Sequence, residues 1–277
     1  MSVLLLGLAA LIWLPFVGAA PAKAPVPPTP TDVRFLASDS VSVGGHWYQG
    51  TIDTVALVVG PRARGGEGGR EKAIGEFQKL GYSVLTFDYR DYDASAHAPS
   101  DSVAGLVFAS RWVDDMTGAL GYARGRVGTY GRVFAWGQDV GGPIAVAAAA
   151  QERDLCDAVV TEGMFRTSQE YMNRLGTAVS YNTLALHRRL VQPADEPISA
   201  CGRLSCPLYI VMAGRDSLTP NDVTKDVYRG RRARTDLLLL PNAGHDDAAD
   251  DPTYFTSIGR WLKQWQSAPR ANRRPRG

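Results

Sequence analysis

The 277-residue chain is poor in cysteine, with only Cys156, Cys201 and Cys206. No C-x-x-C pair and no H-E-x-x-H occurs, so the spacings that announce a metal are missing and no metal site is expected. Gly-x-Gly-x-x-Gly is absent, and so is a P-loop lysine, which removes the common nucleotide cradles. No cofactor is expected on these grounds. Neither sign of charge dominates: the formal net charge is +2, and Arg270, Arg273, Arg274 and Arg276 crowd into the last few positions. The rest of the chain offers no obvious polyanion-binding surface, and nucleic acid is not expected as a partner. There is also no internal repeat.

What the chain does have begins with an apolar run over residues 1–17, free of acidic side chains and followed by Gly18-Ala19-Ala20-Pro21-Ala22-Lys23-Ala24. A hydrophobic segment leading into small residues is the pattern of a secretory signal, with Ala20 and Ala22 placing the cut after Ala22. No Lys or Arg precedes the run, and it is short for spanning a bilayer. Segment 1–22 is therefore read as a signal peptide or signal anchor, and the protein is expected to be exported: periplasmic, secreted, or tethered to the membrane through this segment. Residues 23–32 contain Pro-Val-Pro-Pro-Thr-Pro and read as an extended linker. Residues 33–266 form one domain, and 267–277 a basic disordered tail. An oxidising compartment allows a disulfide, and Cys201 and Cys206 flank a short loop that would let them pair. Cys156 reads as a small core residue.

Segments 55–60, 83–90, 132–136, 157–162, 208–213 and 236–240 are short apolar runs without clean alternation, as in strands buried on both faces. Helical apolar spacing fills 71–80, 107–123, 142–151, 221–231 and 253–264 between them. This alternation predicts an α/β fold with a mostly parallel sheet and helices on both faces. Residues 33–48 suit an antiparallel hairpin leading into the sheet. In such sheets the chemistry gathers in loops at the carboxyl ends of strands.

Three of those loops carry suggestive residues. After 132–136 comes Gly137-Gln138-Asp139-Val140-Gly141-Gly142 and then a helix, the outline of a nucleophile elbow in which glycines clear room for one strained residue. After 208–213 comes Gly214-Arg215-Asp216, and after 236–240 comes Gly244-His245. Singly, Asp216 would be a turn residue and His245 an ordinary loop histidine. Together, in the order reactive residue, acid, histidine, they form a catalytic pattern.

On these motifs, with Leu80-Gly81-Tyr82-Ser83-Val84-Leu85-Thr86-Phe87-Asp88-Tyr89-Arg90 and Tyr254-Phe255, the chain resembles the α/β-hydrolase superfamily from about Val33 to Gln264. Within it the resemblance is to the short-capped, serine-aminopeptidase-like branch. That resemblance implies an α/β-hydrolase fold with a short cap and hydrolysis of esters, thioesters, amides or lipids through serine. The chain departs from the pattern where it matters. Asp139 stands in place of the serine, Val59-Gly60-Pro61 in place of a His-Gly loop, and Arg90-Asp91-Tyr92-Asp93-Ala94-Ser95 in place of Arg-Gly-Tyr-Gly-x-Ser. Pro61 has no N–H for an oxyanion hole, which leaves the Val140 amide and Arg62 as candidate donors.

A carboxylate at the elbow attacks saturated carbon without a base, and the resulting ester is hydrolysed by water that His245 deprotonates while Asp216 orients the ring. Haloalkane dehalogenases and epoxide hydrolases share this arrangement. The former carry Trp where this chain has Val140, and the latter carry two tyrosines in a large cap. The stretch between Gly163 and Cys206 is too short for such a cap, although Tyr171 and Tyr181 lie within it and, with Gln138, are candidate substrate contacts. The expected partner is a small-molecule substrate or ligand. The rival expectation is a non-enzyme: an inactive hydrolase fold kept as an exported binding or scaffold protein, or an Asp139 that only forms a buried salt bridge with His245.

Overall fold

The computed structural model describes residues 29–62, 67–93, 98–99, 108–175, 190–231 and 233–268. Segment 1–22, most of the linker, Tyr181 and all but the start of the tail lie outside the described residues.

The hairpin expected near the N-terminus is β1 (Thr31–Leu36) and β2 (Ser42–Tyr48), paired antiparallel with Arg34 opposite Gly44. It begins at Thr31, inside the stretch read as linker. There follow β3 (Ile52–Gly60), α1 (Glu67–Lys79), β4 (Tyr82–Phe87), α2 (Ser110–Val127), β5 (Arg132–Gly137), α3 (Gly141–Gln151) and β6 (Ala158–Glu162). Two short helices come next, α4 (Ser168–Arg174) and α5 (Pro197–Arg203). The chain ends in β7 (Leu208–Ala213), α6 (Asn221–Tyr228), β8 (Thr235–Leu240) and α7 (Tyr254–Ser267).

The eight strands form one sheet in the order β1-β2-β4-β3-β5-β6-β7-β8. Every pair from β4 to β8 is parallel, and only β2 of the N-terminal hairpin runs against them. Because strand side chains alternate, each central strand feeds two cores at once. Val55, Leu57 and Val59 face α1 and α7, while Ala56 and Val58 face α2 and α3. That double burial explains the unbroken apolar runs. Leu57, Val58, Leu85, Val160 and Val211 are fully buried, each contributing about 1.5–3 kcal/mol of hydrophobic stabilisation. Helix α3 is apolar all round, with Ile144 to Ala150 inside the core, and its run of alanines lets it lie close against the sheet.

The cysteines correct one expectation. None is in a disulfide, and all three are buried. Cys201 falls in the last turn of α5 with its side chain fully buried, and the chain leaves that helix extended at Leu204 instead of folding back. The thiol that Cys206 meets is that of Cys156, at the entry to the neighbouring strand.

Candidate active site

Strand β5 ends at Gly137, and the next three residues, Gln138, Asp139 and Val140, make the turn into α3. Asp139 sits at its tip with φ of 51°, in the left-handed region that Asp tolerates better than most side chains. The turn is this tight because two glycines face each other: a Cβ on Gly137 would come within 2.3 Å of the Gly141 backbone, and one on Gly141 within 2.5 Å of the Gly60 carbonyl. Side chains at either position would push the elbow off β3.

Strands β7 and β8 are parallel neighbours, so their exits emerge side by side. Backbone bonds from Gly214 to Leu240 (2.8 Å) and from Arg215 to Ala243 (2.8 Å) tie the two loops together. That tie sets Asp216 against His245. Asp216 accepts the Leu218 and Thr219 amides at 2.8 Å each and the Thr219 hydroxyl at 2.6 Å, and its Oδ2 lies 2.9 Å from Nδ1 of His245. The other ring nitrogen, Nε2, lies 3.5 Å from Oδ1 of Asp139. The fold thus brings Asp139, Asp216 and His245 together from three loops.

Tyr171 completes the cluster. Its hydroxyl donates to Oδ1 of Asp139 and stands 3.2 Å from Nε2 of His245. It projects from α4, which is capped by Thr167 and anchored where the Ser168 amide and hydroxyl meet Glu196. Its ring stacks on Phe165 with centroids 4.6 Å apart. Tyr171 is 2% exposed, so its hydroxyl meets Asp139 and His245 from inside the protein.

The charges follow from this packing. Burial alone would lower the pKa of His245, but the hydrogen-bonded carboxylates of Asp139 and Asp216 overcome it and push it up to about 10. The ring is an imidazolium at neutral pH. Burial also opposes ionisation of Asp216, yet hydrogen bonds from His245 and Thr219 hold it below the usual carboxylate range. Burial, reinforced by the Asp139 charge, keeps the Tyr171 phenol protonated far above its ordinary range.

The oxyanion candidates are placed unequally. Val140 adopts helical angles at the N-cap of α3, where amides point out of the helix end. The Arg62 guanidinium is held by Asp246 at 2.5 Å, and its charge is felt at Asp139. Gln138 requires correction as a substrate contact. It is 4% exposed and turns away from the site to donate to Glu162 at 2.8 Å, because the elbow that lifts Asp139 outward sends its neighbour inward. Tyr254 donates to the same Glu162 oxygen at 2.8 Å, and Trp136 to Tyr254 at 3.2 Å. Burial raises the pKa of Glu162 against the pull of these donors. Nothing in the sequence marked this buried network except the Tyr254-Phe255 pair noted above. A groove of about 380 Å³ between α1 and α7, lined by Phe77, Leu80, Phe255 and Arg260 among others, includes none of the clustered residues. Among the described residues no group of His, Cys, Asp and Glu is arranged to hold a metal ion.

No protein-family model matches the chain. It is 26% identical to an uncharacterized protein of Mycobacterium tuberculosis (strain H37Rv) over 264 residues, covering 92% of this chain and 86% of that protein. It is 26% identical over 208 residues to lysophosphatidylserine lipase ABHD12 of Xenopus tropicalis, covering 66% of this chain but about half (49%) of the lipase. Among solved structures, an esterase of Pyrococcus furiosus superimposes with a TM-score of 0.65 at 17% identity, over 86% of this chain and 93% of the esterase. The α/β-hydrolase GrgF of Penicillium sp. sh18 does so with a TM-score of 0.65 at 15% identity, over 86% and 98% of the two chains. With its parallel sheet, its elbow and these neighbours, the chain has the α/β-hydrolase fold.

Proposed function

We propose that this protein is an exported hydrolase, of the short-capped kind, that uses Asp139 as a carboxylate nucleophile on saturated carbon and His245 with Asp216 to hydrolyse the resulting ester. The observation that carries this reading is the position of His245 between the elbow carboxylate and a second, fully hydrogen-bonded carboxylate. Among the described residues, the contacts of Asp139 with Tyr171 and His245 both fall on Oδ1, and Oδ2 is read as the attacking oxygen.

The charge balance supports two steps. In the resting site Asp139 is one of the two anions that hold His245 as an imidazolium. Alkylation turns Asp139 into a neutral ester and removes that anion, so the ring gives up its proton more readily and becomes a base for water. Addition to the ester carbonyl creates an oxyanion. The Val140 amide and the Arg62 charge are the groups available to stabilise it, since Pro61 has no N–H.

The test is mass spectrometry of the elbow peptide from His245→Gln protein after exposure to haloalkanes, epoxides and esters. A stable alkyl adduct on Asp139 is expected, because the water step is blocked. No adduct with any class would instead favour a hydrolase-fold binding protein without catalysis.

A further inference from the structure

We propose that Cys156 and Cys206 form a disulfide as the chain folds in an oxidising compartment, and that this bond ties together the roots of the two strands whose carboxyl ends lead to Glu162 and Asp216. The oxidant is itself a disulfide, of a small thiol or of an oxidoreductase. The proposal rests on the export half of the proposed function and is independent of the nucleophile.

The backbone brings the pair together. Strands β6 and β7 are parallel neighbours with Val159 opposite Leu208, so Cys156 and Cys206, just before them, lie at the same amino edge of the sheet. Both approaches are held. The Val159 amide donates to the Pro207 carbonyl at 3.0 Å, the Asp157 amide to the Val133 carbonyl at 2.7 Å, and the Arg231 guanidinium to the Cys206 carbonyl. The two side chains are buried in the same core, and their thiols are in hydrogen-bonding contact. The Cys156 thiol also meets the Ala158 carbonyl at 3.2 Å, which keeps its sulfur at the strand entry.

Two thiols fixed in contact make the second half of a disulfide exchange intramolecular. In the first half the thiolate of one cysteine attacks a sulfur of the oxidant, forming a mixed disulfide and releasing one thiol. The thiolate of the other then attacks the protein sulfur, forming the Cys156–Cys206 bond and releasing a second thiol. The cysteines lose two protons and two electrons, and the oxidant's disulfide takes up both. Only thiolates react in this way. Burial and the neighbouring Cys206 thiol push Cys156 well above the usual thiol range, so the exchange belongs to the folding chain and the folded dithiol reacts slowly. The bond closes a long loop, from residue 156 to residue 206, that carries α4 with Tyr171 and all of α5. Closing a long loop is where a crosslink restricts the unfolded chain most.

The experiment refolds the full chain from its reduced, urea-unfolded state in a buffer of reduced and oxidised glutathione, then digests it without reduction. A peptide joining Cys156 to Cys206 is expected, lost in Cys156→Ser and in Cys206→Ser and kept in Cys201→Ser. The wild-type map decides the pairing even where a serine variant fails to fold. The oxidised protein should unfold at a urea concentration roughly 1 M higher than the reduced one. Oxidised glutathione added to the folded dithiol should form the bond far more slowly than during refolding. Refolded protein in which both cysteines still take up an alkylating reagent after unfolding, or a peptide joining either to Cys201, overturns the pairing. Equal urea midpoints with the bond present overturn its part in tying the strands. The same map of protein made by its native cell tests the compartment separately: the joined peptide supports the proposal, whereas reduced thiols there, with the bond forming in the glutathione buffer, overturn the export reading and leave the pairing in place.

Discussion

Nδ1 of His245 lies 2.9 Å from Oδ2 of Asp216, and that contact decides which ring nitrogen turns toward Asp139. Asp216 is in turn fixed by three donors from Leu218 and Thr219, so the orientation of the imidazole is set by the loop that follows β7.

Asp216→Asn should uncouple the two steps. The uncharged amide no longer stabilises an imidazolium and selects a different tautomer, an effect worth about 10,000-fold where it has been measured in triads. Alkylation of Asp139 by iodobutane should survive, while hydrolysis of the ester slows enough for the adduct to accumulate on the elbow peptide. Equal loss of both steps would mean that Asp216 only holds the fold.

Stability should depend on pH through His245. Its folded-state pKa is raised to about 10 against an ordinary 6.5. A raised pKa stabilises fully below the unfolded value and is lost as pH rises through the folded one, so the melting temperature should fall between about pH 6.5 and pH 10. The contribution is on the order of a few kcal/mol. Asp216, with its pKa depressed, works the other way: its contribution is present above pH 3.8 and lost as pH falls below it. Thermal melts of wild type and His245→Gln across this range check the first effect. A wild-type curve that parallels the variant's above pH 6.5 contradicts it.

The elbow should depend on its buried network. Glu162→Leu strands the Gln138 amide and Gln138→Leu takes one of two donors from the buried Glu162, each costing about 1–3 kcal/mol. The double variant removes both and should be destabilised by less than the two single losses combined. A double-mutant cycle in urea reads the coupling, and strict additivity would contradict the pairing seen at 2.8 Å.

Cys201 should not crosslink to Cys206. Refolding with oxidised glutathione followed by peptide mapping under non-reducing conditions should yield no peptide joining the two, since α5 holds the Cys201 side chain in the core. Recovery of that crosslink would contradict the helix.

Much of this architecture was legible in the sequence, and the exceptions have physical causes. The strands betrayed themselves because runs such as Val55 to Gly60 are buried on both faces, as the middle of a parallel sheet imposes. The elbow was legible because its glycines are required by backbone contact at Gly60. The strand read over 83–90 stops at Phe87, and Arg90 instead turns back to bond Asp115 and Asp39. Helices α4 and α5 are too short for apolar spacing to reveal them, and with them went the burial of Cys201 and the depth of Tyr171. Gln138 looked like a site residue because it adjoins Asp139 in sequence. A turn at positive φ sends neighbours in opposite directions, and only three-dimensional geometry shows which is buried.

The most direct test of the account is a single turnover in heavy-oxygen water with excess protein over an epoxide. If Asp139 is the nucleophile, the oxygen delivered to the first product comes from its carboxylate, and one heavy oxygen should appear in the elbow peptide while the diol remains unlabelled. Heavy oxygen in the diol, with an unlabelled Asp139, would mean that water attacks the substrate directly and would contradict the central claim.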